Sequence, residues 1–224
     1  MINVTQKRIM GLVLGAMLAC AVTASAAPRT TVHYTLNGAD PYIGYMNVFD
    51  LGNNFQWGSS WGTADLCAVF SGNNLTLSPN TIGDPNEYWY TPSGQPGCTG
   101  NKIMEGNDYV EQTGPLAGVT VLFDGTILSN TLTAAHVAKA FIRDFAPDFS
   151  SVVEQAVVLP ASGSFSLMLN TINDPARHVQ YGFQIRGVDV WYTDLAPYGK
   201  VVVGPFVPTA TQKTSWGAIK AEYK

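Results

Sequence analysis

The run His178-Val-Gln-Tyr-Gly-Phe-Gln-Ile-Arg-Gly-Val-Asp-Val-Trp191 alternates between apolar and polar residues more cleanly than any other part of the chain. In an extended strand, successive side chains point to opposite faces. One face then carries the core-type side chains Val179, Tyr181, Phe183 and Ile185. The opposite face carries His178, Gln180, Gln184 and Arg186. The run therefore predicts a strand with one face in a core and the other face open to solvent or to a ligand.

Short segments of this kind recur between about residue 40 and residue 204. Turn-forming runs such as Ser71-Gly72-Asn73-Asn74, Asp124-Gly125 and Asn173-Asp174-Pro175 separate them. Helical periodicity is almost absent from the same region. Many short strands divided by such turns predict an all-β fold, a β-sandwich of jelly-roll type, over residues 40–204.

The first 26 residues have the pattern of a secretory signal peptide. Lys7 and Arg8 precede an apolar stretch, and Ala24-Ser25-Ala26 matches a cleavage site. A lipoprotein signal would use Cys20, but Met17-Leu18-Ala19 before it matches that pattern poorly. No later segment has the ~20 apolar residues of a membrane span. We therefore expect a secreted protein, extracellular or at the cell surface, with the periplasm also open, and a lead-in at residues 27–39.

The charge of the chain argues against a nucleic-acid partner. The chain has 12 basic and 16 acidic side chains, and without Lys7 and Arg8 the balance is 10 against 16, or −6. No cluster of Lys or Arg remains to neutralise phosphates. Only 12% of the residues are charged, which is typical of an extracellular β-protein rich in Gly, Asn, Ser and Thr.

Residues 205–224 differ in composition from the body. Pro205, Pro208 and several threonines indicate a linker. Ser215 can then cap a short helix in which Trp216, Ile219 and Tyr223 share one face. We expect a short C-terminal amphipathic helix or tail that docks on the body, contacts a partner or stays disordered.

Cys67 and Cys98 are the cysteines that remain after the signal segment. An exported protein with two cysteines most simply pairs them, and a disulfide closing a loop of this length would stabilise the fold by roughly 3 to 4 kcal/mol. Two free thiols are the alternative. The Cys and His spacings do not match a zinc site.

Eight runs of the sequence resemble a recurring β-sandwich domain of bacterial exported proteins. They are Tyr42–Asp50, Gly58–Gly62, Asp84–Trp89, Gly100–Lys102, Tyr109–Glu111, Leu128–Leu132, Ala140–Phe145 and Tyr181–Gln184. In its relatives this domain can lie beside glycoside hydrolases of the laminarinase type, or stand almost alone. The resemblance implies a carbohydrate-binding or surface-adhesive role and supplies no binding residues.

The acidic run around Glu105, Asp108 and Glu111 invites comparison with a glycosidase. On a straight strand Asp108 points away from the two glutamates. Glu105 and Glu111 would stand about 20 Å apart, against the ~5 to 10 Å between the carboxyls of a glycoside hydrolase. The sequence also lacks a Gly-x-Ser-x-Gly elbow and a phosphate-binding glycine loop. We therefore expect a protein that is not an enzyme, with a catalytic carboxyl partner from another strand as the open alternative.

Sugar binding needs flat aromatic rings and planar polar groups. The aromatic candidates are Trp57, Trp61, Trp89, Tyr90, Trp191 and Tyr192, of which Trp57, Trp61 and Trp89 are expected on loops. The polar candidates are Asn107, Gln180, Gln184 and Arg186. A β-sandwich also buries tryptophans, so each ring has a place in the core as its alternative. Glu105, Asn107, Tyr109 and Glu111 share a strand face, which would form a polar groove if it lay beside His178, Gln180 and Gln184.

Jelly rolls often hold a structural calcium ion. Asp40, Asp50, Asp174 and Asp189 follow or precede strands and could supply oxygen ligands. Asp40, Asp50 and Asp189 are the preferred candidates, and ordinary Asx turns are the alternative.

Two functional hypotheses follow. The first is an exported, non-catalytic module that binds polysaccharide through aromatic loop residues and a polar sheet face. The second is a structural or adhesive protein of the cell surface or matrix, which self-assembles through sheet edges or through the C-terminal tail.

Overall fold

The computed structural model describes residues 28–207. The predicted signal segment and C-terminal helix lie outside the described residues. Within this range there are fourteen strands, β1 Thr31–Thr35, β2 Ile43–Asp50, β3 Phe55–Trp61, β4 Ala68–Ser71, β5 Asn74–Leu77, β6 Tyr90–Thr91, β7 Thr99–Gly100, β8 Lys102–Thr113, β9 Thr120–Asn130, β10 His136–Phe145, β11 Val152–Val158, β12 Gly163–Asn170, β13 His178–Val188 and β14 Val201–Gly204. Two short 3-10 helices, Ala64–Leu66 and Ala196–Tyr198, accompany them.

The strands form two six-stranded sheets and a small β6–β7 ribbon. Sheet A contains β1, β4, β5, β9, β12 and β14, and sheet B has the order β11-β10-β13-β8-β2-β3. Most connections pass from one sheet to the other, as in double-sheet jelly rolls. In the described part of the chain no helix is long and apolar enough to cross a bilayer.

Strand β9 has neighbours along both of its sides. Strand β12 pairs with one side, antiparallel, over most of its length. The other side is shared, because β1 pairs in parallel with residues Thr120–Asp124 and β14 pairs antiparallel with the residues that follow. The predicted lead-in at residues 27–39 thus contains a strand of the sandwich.

The main core lies between the two sheets. Phe123 and Phe165 enter it from sheet A, and Tyr181 and Phe183 enter it from sheet B. The ring centroids of Phe123 and Phe183 are 5.4 Å apart, in edge contact. Because side chains from both sheets interdigitate in one layer, the fold is the all-β sandwich that the sequence predicts.

A second, smaller core closes one end of sheet B. Its buried members are Met46, Val48, Leu66, Ile82, Trp89, Tyr90, Met104 and Trp191. The segment between β5 and β8, which includes the β6–β7 ribbon, covers this end. The hydroxyl of Tyr90 donates to the carbonyl oxygen of Ile82 at 2.9 Å and accepts from its N–H at 3.0 Å, which fixes the covering segment.

A buried ion pair ties the loop before β13 to the end of β10. The Nε of Arg177 lies 2.7 Å from Oδ1 of Asp144, whose side chain is 1% exposed. The second carboxylate oxygen of Asp144 accepts the N–H of Ile172 at 2.7 Å. Both charges are therefore neutralised and hydrogen-bonded, as burial requires.

Asp108 lies on the inner face of β8, opposite Phe183 and Gly44. Its side chain is fully buried, and neither carboxylate oxygen has a hydrogen-bond partner among the described residues. Burial alone raises the pKa of Asp108 to about 8, because loss of hydration disfavours the charged form. The sandwich thus contains an acid that stays protonated at neutral pH.

Candidate functional site

The outer face of sheet B is where polar and aromatic side chains converge. Gln180 and Gln184 of β13 stand directly opposite Glu111 and Asn107 of β8. The polar groove expected from the alternation of these two strands is therefore present. Arg143 of β10 is next to Gln180 in the same row, so three neighbouring strands contribute to one surface.

A cleft of about 230 Å³ opens on this face, and we refer to it as the sheet-B cleft. It is lined by Tyr45, Asn47, Asn107, Tyr109, Arg143, Phe145, Phe149 and Gln180. This volume is smaller than the ~300 to 1,000 Å³ of sites for drug-sized ligands. The cleft suits one small unit of a larger molecule.

Phe149 forms an exposed aromatic rim of the cleft. It lies in the loop between β10 and β11 with a φ of 58°, and its side chain is 53% exposed. Its ring stacks on His178, with centroids 4.5 Å apart and planes at 18°. More than half of this side chain is open to solvent, so the ring is available to a ligand.

Asn107 is a structural member of the cleft floor. Its Oδ1 accepts hydrogen bonds from Nη1 of Arg143 and Nε2 of Gln184, both at 2.9 Å. Its Nδ2 donates to the carbonyl oxygens of Tyr45 at 3.3 Å and Glu105 at 3.1 Å. All four hydrogen-bonding positions of the amide are used. Asn107 therefore positions its neighbours and has no group left for a ligand.

Arg143 is held rigidly while part of its guanidinium stays available. Nε donates to Glu154 at 2.6 Å, Nη1 donates to Asn107, and the guanidinium stacks 3.8 Å from the ring centre of Phe141. Nη2 has no acceptor among the described residues. The side chain is 14% exposed, so this edge offers two N–H donors without further loss of side-chain entropy.

Three further groups of the cleft lack protein partners within residues 28–207. They are the hydroxyls of Tyr45 and Tyr109 and the Oε1 of Gln180, whose Nε2 is engaged by Glu111 at 2.7 Å. Burial, with smaller contributions from Glu111 and Tyr45, raises the pKa of Tyr109 to about 12. The Tyr109 hydroxyl stays protonated and can both donate and accept. The cleft thus presents donors and acceptors side by side.

The two glutamates of this face are paired with neighbouring side chains. Glu111 lies 3.2 Å from Nδ1 of His178, and Glu105 lies 3.2 Å from Nε of Arg186. Asn47 also donates to Glu105 at 3.1 Å. These pairs flank the cleft, whose chemistry is hydrogen bonding and ring stacking.

The structure separates the predicted polar residues into two groups. Asn107 and Gln180 line the cleft. Gln184 lies opposite Asn107 on the neighbouring strand and donates a hydrogen bond to it. Arg186 is in the next row, where it pairs with Glu105, contacts Asn53 and stands 4.9 Å from the ring centre of Phe49. The sequence does not single out Tyr45, Arg143 or Phe149, although the alternation of β2 and β10 places the first two on this face.

The loop placement predicted for Trp57 and Trp61 is wrong, while Trp89 lies in a turn. Trp57 and Trp61 lie on β3 and point to its inner side, where they pack against the second core. Trp89 is 9% exposed and meets Trp57 edge to face at 5.9 Å. Tyr90 is fully buried. Trp89 and Tyr90 are thus buried in the second core, and Trp57 and Trp61 are half-buried against it.

The predicted calcium ligands each have protein hydrogen-bond partners. Asp40 accepts a hydrogen bond from Asn37 at 2.9 Å. Asp50 accepts hydrogen bonds from the side chain and the backbone of Asn54, which lower the pKa of Asp50. Asp189 is buried and binds the N–H of Lys102 at 3.0 Å. Among residues 28–207, no group of three or more His, Cys, Asp or Glu side chains could hold a metal ion. Calcium binding stays a prediction.

The predicted disulfide is absent, since Cys67 and Cys98 are both free and half-buried. Cys67 follows the Ala64–Leu66 turn with a φ of 57°, and its Sγ lies 3.3 Å from Oγ1 of Thr81. Cys98 packs against the second core. Without a disulfide, the covering segment is held by packing and by the Tyr90 hydrogen bonds.

Comparisons with protein-family models, with curated proteins and with solved structures return no match. The chemistry of the sheet-B cleft is therefore inferred from its own residues.

Proposed function

We propose that the protein is an exported, non-catalytic carbohydrate-binding protein that recognises a polysaccharide in the sheet-B cleft. The observation that carries this proposal is the combination of an exposed ring, Phe149, with unpartnered hydrogen-bonding groups on a rigid floor. A sugar unit presents a C–H face to an aromatic ring and hydroxyls, which both donate and accept, at its edge. Arg143, Tyr109 and Gln180 supply matching donors and acceptors.

The rigidity of the floor supports binding. Asn107, Glu154 and Phe141 hold Arg143 in place before any ligand arrives. Side chains that are fixed in advance lose little entropy on binding, so weak hydrogen bonds to hydroxyls contribute more to affinity. The proposed site is therefore the sheet face, and the tryptophans of the sequence hypothesis lie outside its lining.

The test is retention of the purified protein on a panel of glucans, alginate, chitin and xylan, followed by calorimetry with soluble fragments of the retained glycan. Tyr109→Phe removes one free hydroxyl and should weaken binding roughly 3- to 10-fold, the equivalent of one hydrogen bond. Phe149→Ala should weaken binding by a similar factor through loss of the ring face. Tyr192→Phe and Phe55→Ala are matched controls, because both side chains are exposed and lie outside the cleft.

Retention on no member of the panel would overturn the proposal. Retention that Phe149→Ala and Tyr109→Phe leave unchanged would also overturn the assignment of the cleft.

A further inference from the structure

Strand β11 is an unprotected edge of sheet B. Within the described residues its only partner is β10, in a regular ladder without a bulge. Val152, Val153 and Val158 are 46%, 43% and 57% exposed. Exposed, regular and apolar edge strands are templates for pairing with another chain.

Other edge strands of the described sheets carry protections, and β1, which pairs only with β9, has just five residues. Strand β3 pairs with β2 through a register shift, as a bulged edge does, and β4 has only four residues. Strand β12 presents Ser164, Ser166 and Asn170 to solvent, together with one apolar residue, Met168. Bulges, short length and polar side chains are the usual protections of an edge, and of these β11 has only the polar side chains of Glu154 and Gln155.

The hydrogen bonds of β10 fix which backbone groups of β11 point outward. The N–H of Leu159 donates to Ala138, and the N–H of Ala146 donates to the carbonyl of Ser151. In an antiparallel ladder, residues alternate between facing the partner and facing away. The odd-numbered residues of β11 therefore bond to β10. The outward N–H and C=O groups belong to Val152, Glu154, Ala156 and Val158.

The sequence of β11, Val-Val-Glu-Gln-Ala-Val-Val, is nearly the same in both directions. In an antiparallel pair centred on Gln155, Val152 would face Val158 of a second copy and Val153 would face Val157. Glu154 would face Ala156, so the two glutamates do not oppose each other. In this register each even-numbered residue of one copy lies opposite an even-numbered residue of the other. Their outward N–H and C=O groups can therefore bond to each other.

We propose that a second copy of this chain pairs antiparallel with β11 about Gln155. The two copies then share one continuous sheet of twelve strands, which joins two six-stranded B sheets. A two-fold axis through Gln155 is the symmetry of an isologous dimer. Residues that lie directly opposite each other in an antiparallel pair point to the same face of the sheet. Both sheet-B clefts therefore open on the same side of the joined sheet.

The first test is sedimentation velocity of the purified protein over a concentration series up to about 1 mM, the range that covers weak edge-to-edge association. Ala156→Pro removes an outward N–H and leaves the ladder to β10 intact, because proline is tolerated where the N–H faces solvent. Two hydrogen bonds are lost per dimer, so the dissociation constant should rise roughly 30-fold. Ala156→Ser is the matched control and should dimerise normally. Circular dichroism confirms that both variants fold.

The second test probes the register. Gln155→Lys and Gln155→Glu each place like charges at the two-fold axis, so each variant alone should dimerise up to about five-fold more weakly at low salt. An equimolar mixture of the two variants should associate at least as well as the wild type, because opposite charges then meet. This exposed position leaves the fold intact even if Ala156→Pro does not.

A monomer at every concentration would overturn the proposal. A dimer that Ala156→Pro and the charged variants leave unchanged would also overturn it and assign association to another surface. These outcomes do not depend on a glycan, so they are independent of the carbohydrate-binding proposal.

Discussion

Replacing Asp108 with Asn should remove a large pH-dependent loss of stability. Asp108 is fully buried on the inner face of β8, with both oxygens unpartnered in the described structure. A protonated aspartic acid and an asparagine are both neutral and have the same shape. The two proteins should therefore be similarly stable near pH 4 and should diverge as the pH rises.

The size of this effect follows from the pKa. Its rise from 3.8 to about 8 corresponds to roughly 6 kcal/mol, since each pKa unit is worth about 1.36 kcal/mol. Between these values the folded protein binds more protons than the unfolded chain, so the free energy of unfolding falls with rising pH. The loss begins above pH 4, reaches roughly 4 kcal/mol at pH 7 and is complete above about pH 8.

The assay is urea denaturation of both proteins from pH 4 to pH 9. Asp189, whose pKa is raised to about 7 mainly by burial, adds a similar slope to both proteins and cancels in the difference. The free energy of unfolding of Asp108→Asn minus that of the wild type should grow from near zero to several kcal/mol. A difference that does not change with pH would refute the reasoning, because Asp108 would then have the same pKa in both states.

Three further predictions concern stability and the thiols. Arg177→Ala should destabilise the fold by about 3 to 5 kcal/mol in urea denaturation, since it leaves the Asp144 carboxylate buried without its partner; a loss below 1 kcal/mol would contradict the buried pair. Phe123→Ala should cost about 3 to 5 kcal/mol through a cavity in the main core, and equal losses from this change and from exposed Phe55→Ala would argue against that core. Cys67 and Cys98 should both react with maleimide after denaturation without reductant. If neither thiol reacts, the two cysteines form the disulfide that the sequence predicts.

Much of the fold could be predicted because strand periodicity is local information. The alternation of β13 separates Tyr181 and Phe183 from Gln180 and Gln184, and the structure buries the first pair between the sheets. Strand β3 could not be predicted from the sequence, because Gly58, Ser59 and Ser60 give it the composition of a loop. Its pairing with β2, which is tertiary information, turns this segment into a strand.

The candidate site could be predicted only in part. Asn107 and Gln180 were identifiable, since each lies on the polar side of a clearly alternating strand. Arg143 depends on the register between β10 and β13, and Phe149 depends on the conformation of a loop; neither is encoded in a short pattern. The same limit applies to Cys67 and Cys98, because two cysteines in a sequence do not reveal the separation of their sulfur atoms.

Because β1 and β14 both pair with the same side of β9, sheet A cannot be completed until the last strand of the sandwich is present. Strand β14 is the only described link between β9 and the β4–β5 hairpin, so that hairpin has no neighbour in sheet A until residues 201–204 have been synthesised. The closing contacts join Leu75 to Val203 and Thr31 to Thr120, which are far apart in the chain. High contact order of this kind gives folding times of milliseconds to seconds. Until Val203 arrives, a growing chain carries open strand edges, and a fragment that ends before Val201 keeps them permanently.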